Sequence, residues 1–200
     1  DAFFPQSENL YTCVRDGKKI TIEPEALKEQ NFVVFGMKAC DVQGVKVLDR
    51  VFLSDPMDSF YAARREHGTI VALACHEPEE SCFCKVFGID CAEPAADVAA
   101  WMIHGELYWK PLTEKGETLT EQIKEVLTDA EEEQVEEEKK AIRAIVEKLP
   151  YSNLSLKGWG EKDYMERFNS PVWEELYKPC MACGTCTFVC PTCQCYDIKD

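Results

Sequence analysis

Basic residues are scarce in this sequence: 22 Lys and Arg stand against 37 Asp and Glu, for a net charge of −15. Nucleic acid and anionic membrane surfaces both demand basic patches, so neither is expected as a partner. No apolar run approaches the roughly eighteen residues that a membrane-spanning helix needs. No charged-then-apolar leader opens the chain, which argues against export and for the cytoplasm. There is no Ser–His–Asp set, no paired carboxylates and no phosphate-cradling glycine loop. The three histidines, His67, His76 and His104, are scattered. Only His76, beside Cys75, merits testing as a metal ligand.

Cysteine, by contrast, is abundant, with twelve in 200 residues. A chain of this size with so many thiols is either a disulfide scaffold or a metal protein. The choice is decided near the end, where Cys180, Cys183, Cys186 and Cys190 form C-x2-C-x2-C-x3-C followed by Pro191. That is the bacterial-ferredoxin ligand pattern, in which closely spaced thiolates wrap the corners of a [4Fe–4S] cube. Zinc sites usually separate two C-x2-C pairs by a longer loop, and neighbours this close cannot all form unstrained disulfides. The expected cofactor is therefore a [4Fe–4S] cluster in a reducing compartment.

In two-cluster ferredoxins the fourth cysteine of such a run serves the other cluster. No second motif of this kind occurs in the sequence. The closing ligand is then Cys190, Cys193, Cys195 or a residue beyond Asp200. With Asp1 leading straight into Phe3-Phe4-Pro5, the sequence reads as a segment cut at both ends.

The remainder reads as an α/β domain: a small, mainly parallel sheet with flanking helices over 1–150, a linker over 151–178, and a helical, ferredoxin-like, truncated iron–sulfur segment over 179–200. Two β-rich runs, 10–14 and 20–22, flank an Asp16-Gly17 hairpin turn, with Cys13 expected to be a buried free thiol. The apolar run 32–37 predicts a strand buried on both faces, and 69–74 a second one. Helical spacing follows the first run from Val42 to Phe52, and a short helix is expected over about 54–67. The result is a βαβ unit with parallel strands. Strands are expected at 98–103 and 106–111, then a long helical stretch over 117–149 broken near Asp129. Its stripe is Ile123, Leu127, Ala130, Ile142, Ile145 and Leu149, and its glutamate runs form the solvated face. In 151–178, Trp159, Phe168, Trp173 and Tyr177 are expected to pack on the main domain.

The βαβ reading has a chemical consequence. Cys40 follows the first parallel strand and Cys75 the second, so both emerge at the carboxyl edge of the sheet, where open α/β sheets bind ligands. Cys82, Cys84 and Cys91 come close behind. Four thiolates can complete a tetrahedral zinc site or the corners of a second [4Fe–4S] cube, and Cys91 could replace any of them. A cluster is favoured because the chain already carries one cluster motif.

Several stretches together carry a family pattern: Phe3-Phe4-Pro5-Gln6-Ser7-Glu8, Gly36-Met37-Lys38-Ala39-Cys40-Asp41, the Cys75 loop with Cys82-Phe83-Cys84, and Cys180 to Cys195 with Tyr196-Asp197. They resemble the 4Fe–4S dicluster electron-transfer family, to which the beta subunit of sulfhydrogenase and its counterpart in anaerobic sulfite reductase belong. The resemblance implies a non-catalytic iron–sulfur component of an anaerobic oxidoreductase complex. It implies relay of electrons between a flavin-containing, NAD(P)H-linked subunit on one side and a terminal catalytic subunit on the other. It leaves Cys91 outside the ligand pattern. The rival reading is a zinc-stabilised binding module.

Overall fold

A computed structural model of the chain describes residues 2–5, 7–158 and 164–194. Cys195 and Trp159, both singled out above, lie outside the described residues. The chain opens with a hairpin of β1 (Tyr11–Asp16) and β2 (Lys19–Pro24), paired antiparallel about Asp16-Gly17, where Gly17 takes the positive φ that such a turn needs. Every residue of both strands is exposed. Cys13 is correspondingly exposed and not buried, because the hairpin is a separate two-stranded sheet whose residues are all exposed.

A four-stranded sheet follows, in the order β3 (Phe32–Met37), β4 (Gly68–Leu73), β5 (Val98–Ile103), β6 (Glu106–Pro111). The ladders β3–β4 and β4–β5 are parallel and β5–β6 is antiparallel, so the sheet is mixed. The crossover from β3 to β4 is made of two helices, α1 (Ala39–Phe52) and α2 (Ser59–His67). The predicted helix over 54–67 starts later than its apolar pattern suggests because Asp58 caps it, accepting a hydrogen bond from Tyr61 N–H at 2.9 Å. Arg65 grips Asp49 of α1 through both carboxylate oxygens, at 2.7 and 3.0 Å, and Tyr61 donates to the same carboxylate at 2.8 Å. This bidentate clamp sets the angle between the two helices.

Side chains on successive residues of β4 and β5 alternate between two layers. On one face Ile70 and Ala72 pack with Val42, Val45 and Leu48 of α1, Tyr61 of α2 and the fully enclosed Phe3. Beside them Ala99, Trp101 and Ile103 pack with Ile142 and Val146 of α4 (Glu132–Val146). On the other face Val71, Val98 and Ala100 meet Leu119 of α3 (Glu114–Gln122) and Trp109 of β6. The break between α3 and α4 spans residues 123–131, around Asp129 as expected, with one short turn at Lys124–Val126.

The predicted stripe fails at two positions, Ala130 and Ile145, both exposed. Lys139, Ile142 and Val146 are buried, whereas Ile145 is exposed. Lys139 reaches inward over the Trp101 ring and is neutralised by Glu93 and Glu136, at 2.9 and 2.8 Å, so the buried cation is paired.

Strand β3 also departs from its prediction. It lies at the sheet edge, and while Phe32 and Val34 turn inward, Val33 and Phe35 are 48% and 58% exposed. Only β4 and β5, flanked by strands on both sides, are covered on both faces. Past the domain, α5 (Tyr164–Phe168) and α6 (Trp173–Leu176) are short turns closed on their own backbone, with Trp173 Nε1 donating to Arg167 O at 2.7 Å. Phe168, Trp173 and Tyr177 are exposed and do not pack on the main domain.

One close approach fixes α3 to the sheet. A Cβ added at Gly116 would lie 2.1 Å from the carbonyl oxygen of Asp97. Asp97 in turn accepts from Ile70 N–H at 2.8 Å and from Thr113 Oγ1 at 2.7 Å. Gly116→Ala is therefore expected to cost about 2 kcal/mol, the range of overpacked sites, read as a lowered denaturant midpoint with unchanged m. An unchanged midpoint would contradict the close packing of α3 on Asp97.

Candidate functional site

Because β3 and β4 run parallel, the residues that follow them leave the sheet at the same edge. Cys40 lies in the first turn of α1 and Cys75 two residues past β4. A tight loop brings in the rest of the rim. Cys84 opens a 3₁₀ turn, Cys84–Phe87, that ends at Gly88 in the left-handed region (φ 68°), whose N–H donates to the carbonyls of Cys84 and Lys85. Ile89 N–H donates to Cys84 O at 3.1 Å, and Cys75 N–H donates to Cys91 O at 2.9 Å. Trp101 Nε1 holds Ala92 O at 2.8 Å, and Arg143 holds Asp90 at 2.6 Å. Loop, strand end and α4 are thereby tied into one frame.

The thiols on this frame feel one another. Burial pushes the Cys75 thiol up, Lys38 acts against that, and Cys82 and Cys84 add to it. The Cys40 thiol is pushed up by partial burial of its sulfur, then by Asp41, and further by Cys84. Cys91 is pushed up to about 12 by burial and then by Cys84 and Cys75. Cys84 is thus the hub, within electrostatic reach of Cys40, Cys75 and Cys91, while Cys82 reaches Cys75. Among the described residues no three His, Cys, Asp or Glu side chains close to the spacing of a single-ion site. No described cysteine is in a disulfide.

The C-terminal motif has the opposite electrostatics. Cys183 Sγ lies 3.3 Å from the Thr185 hydroxyl, which holds its pKa below the ordinary thiol range. Cys190 Sγ lies 3.3 Å from the Thr192 hydroxyl, and Thr192 together with Cys193 brings it down to about 7. Ala182 N–H points at Cys180 Sγ, 3.4 Å away. Ala182 and Gly184 both take positive φ, 55° and 74°, before the short helix α7 (Thr185–Val189). Turns of this kind aim backbone N–H groups at an anion and recur at iron–sulfur sites.

The two groups of thiols share a helix. A Cβ on Gly44 would lie 3.0 Å from Pro191, so the residue after Cys190 is seated on α1 where a glycine leaves room. Gly44 is one turn beyond Cys40 on the same helical face, about 6 Å along the axis. The groove between α1, the N-terminal segment and α7 is lined by Cys13, Asp41, Cys183, Cys190 and Cys193, among others.

The chain is 34% identical over its whole length to the beta subunit of sulfhydrogenase 2 from Pyrococcus furiosus. It is a relative of the sulfhydrogenase beta subunit. The chain spans about 55% of that relative's length. No family model and no solved structure matches the chain.

Cys40 and Cys75 thus follow β3 and β4 at one sheet edge, with Cys84 in electrostatic reach of both and Cys82 in reach of Cys75, while Cys180 to Cys190 lie in a separate stretch. Two contributors escaped sequence reasoning. Lys38 influences Cys75 only through the fold, and Gly44 matters only because Pro191 returns to it. The sequence offered Cys91 as a possible rim member, but its tie to Cys75 through a backbone hydrogen bond had no local signal.

The depressed Cys190 pKa gives a direct check on metal-free protein. Its thiolate is half formed near pH 7, so alkylation of Cys190 followed by peptide mapping should show a midpoint near that pH. Thr192→Val removes the donor that stabilises the thiolate, raises the pKa and slows alkylation at pH 7 several-fold. An unchanged profile would contradict the role of the hydroxyl.

Proposed function

We propose that the chain is an iron–sulfur electron-transfer subunit of an oxidoreductase complex, without a substrate-transforming centre of its own. The observation that carries the reading is two cysteine groups, one following the parallel strands β3 and β4 and one whose Pro191 is seated against Gly44 of α1, in a chain 34% identical over its own length to a sulfhydrogenase beta subunit.

The donor sets fit [4Fe–4S] clusters. At the rim the ligands would be Cys40, Cys75, Cys82 and Cys84, thiols alone, neighbouring but not converging on one point. Such a set suits a polynuclear iron–sulfide core better than a single zinc ion with its ligands at about 2.3 Å. Burial is what chiefly lifts the Cys40 and Cys75 pKa values, with neighbouring thiols adding to it; a cationic core would offset both, and loading would release protons. In the C-terminal motif Cys180, Cys183 and Cys186 would bind, with Cys190 as closing ligand or as donor to a neighbouring site. When bound, each cluster supplies one-electron redox chemistry. The protein orients the thiolates, excludes water from the Cys75, Cys84 and Cys91 side, and aims N–H and hydroxyl donors at sulfur in the motif.

In the complex, the reading continues, electrons pass between a flavin-containing, NAD(P)H-linked subunit on one side and a terminal catalytic subunit of hydrogenase or reductase type on the other. The work would proceed anaerobically in the cytoplasm. Among the described residues no helix is long and apolar enough to cross a membrane.

Anaerobically purified chain should be brown, absorb broadly near 400 nm and carry about eight irons, two cubes. Cys75→Ser and Cys183→Ser should each remove about four. Colourless protein holding zinc would overturn the proposal in favour of a structural binding module.

A further inference from the structure

A glycine in the interior of a helix weakens it relative to alanine, yet Gly44 stands within the fourteen-residue helix α1. Its φ is an ordinary helical one, so glycine's conformational freedom is not what the position uses. What it uses is space. Gly44 is buried, and a Cβ built on it would stand 3.0 Å from both Cβ and Cγ of Pro191 and 4.0 Å from Cγ2 of Thr192. The proline ring therefore rests against bare helix backbone.

The seat lies where the C-terminal motif first gains cover. Residues 180 to 189 are exposed throughout, and Cys190 is the first residue of the motif to be partly covered. Cys190 is joined directly to Pro191, and Cys40 lies four residues before Gly44 on the same face of α1, about 6 Å along the axis. One turn of helix and one peptide bond thus connect the Gly44–Pro191 contact to a cysteine of each group.

We propose that Gly44 is a positioning residue: its missing side chain lets Pro191 seat the C-terminal motif on α1, and so sets the gap that an electron crosses between the two cluster sites. The inference rests on the two-cluster reading and adds the residue that fixes the separation. One cube is oxidised as the other is reduced, and the rate of that exchange falls steeply as the gap widens. A methyl group at position 44 must push Pro191 back by a few tenths of an ångström. A leucine overfills the seat and dislodges the motif.

The test is electron paramagnetic resonance of the full chain, purified anaerobically with about eight irons and reduced until both clusters are paramagnetic. Two such centres held at one separation split each other's signals. The unmodified chain should show the splitting, and Cys183→Ser, which keeps only the rim cluster, should not. Gly44→Leu should keep its iron and lose the splitting, because the unseated motif no longer holds one distance. Gly44→Ala, which also favours the helix, should keep its iron and narrow the splitting. Val47→Leu, on the exposed side of the same helix, should leave it unmoved.

Full iron with an unmoved splitting in both Gly44 variants would overturn the inference. So would an unmodified chain that holds about eight irons and shows no splitting. If Gly44→Leu loses iron, Gly44→Ala decides: full iron with a narrowed splitting supports the inference, and an unmoved splitting overturns it. Loss of iron from both variants would make Gly44 a residue of cluster assembly and overturn the inference too. An unmodified chain with only about four irons would instead overturn the two-cluster reading, a failure seen before Gly44 is touched.

Discussion

Parallel pairing is the constraint from which the rest of this molecule follows. Strands β3 and β4 share a direction, so the chain leaves both at one edge, and Cys40 and Cys75 follow there without any long-range search. The two-helix crossover that parallel pairing demands also supplies α1, whose first turn holds Cys40 and whose second, at Gly44, receives Pro191. One topological choice thus sets Cys40 and Cys75 at the same sheet edge and supplies the helix on which Pro191 and Thr192 rest.

The two thiol groups occupy contrasting environments. At the rim, burial and mutual repulsion resist ionisation, with Lys38 as the counter-charge at Cys75. In the C-terminal motif, hydroxyls of Thr185 and Thr192 and backbone N–H groups favour the thiolate in an open setting. Burial, charge and hydrogen bonding to sulfur are the means by which proteins adjust iron–sulfur centres, and the chain differs in all three between its sites. Rigidity differs too: Trp101, Arg143 and the Cys75–Cys91 backbone bond brace the rim, while the motif rests on α1 through a short segment.

Much of this was legible in the amino-acid order because it is local. The Asp16-Gly17 turn, the strands at 98–103 and 106–111, the break around Asp129 and the positions of Cys40 and Cys75 after β3 and β4 each follow from a few neighbouring residues. What failed depended on layers. Phe32 to Met37 has the composition of a strand covered on both sides, but an edge position, invisible in the run itself, leaves Val33 and Phe35 in the open. Cys13 and the described aromatics of 151–178 were assigned to a core that does not extend over them. Ile145 was expected to be buried and is exposed, and the burial of Lys139 had no local signal because Glu93, from a different part of the chain, neutralises it. Cys91 shows the same limit at the site, since its carbonyl meets the Cys75 N–H only through the return of the loop to the end of β4.

The central claim is that both thiol groups hold iron–sulfide cubes flanking the first turns of α1. An anomalous difference map at the iron edge, from crystals grown anaerobically, tests it most directly. The account predicts two compact four-iron peaks, one against Cys40, Cys75, Cys82 and Cys84 and one against Cys180, Cys183 and Cys186. Single-atom peaks, or continuous density joining pairs of cysteine sulfurs, would contradict it.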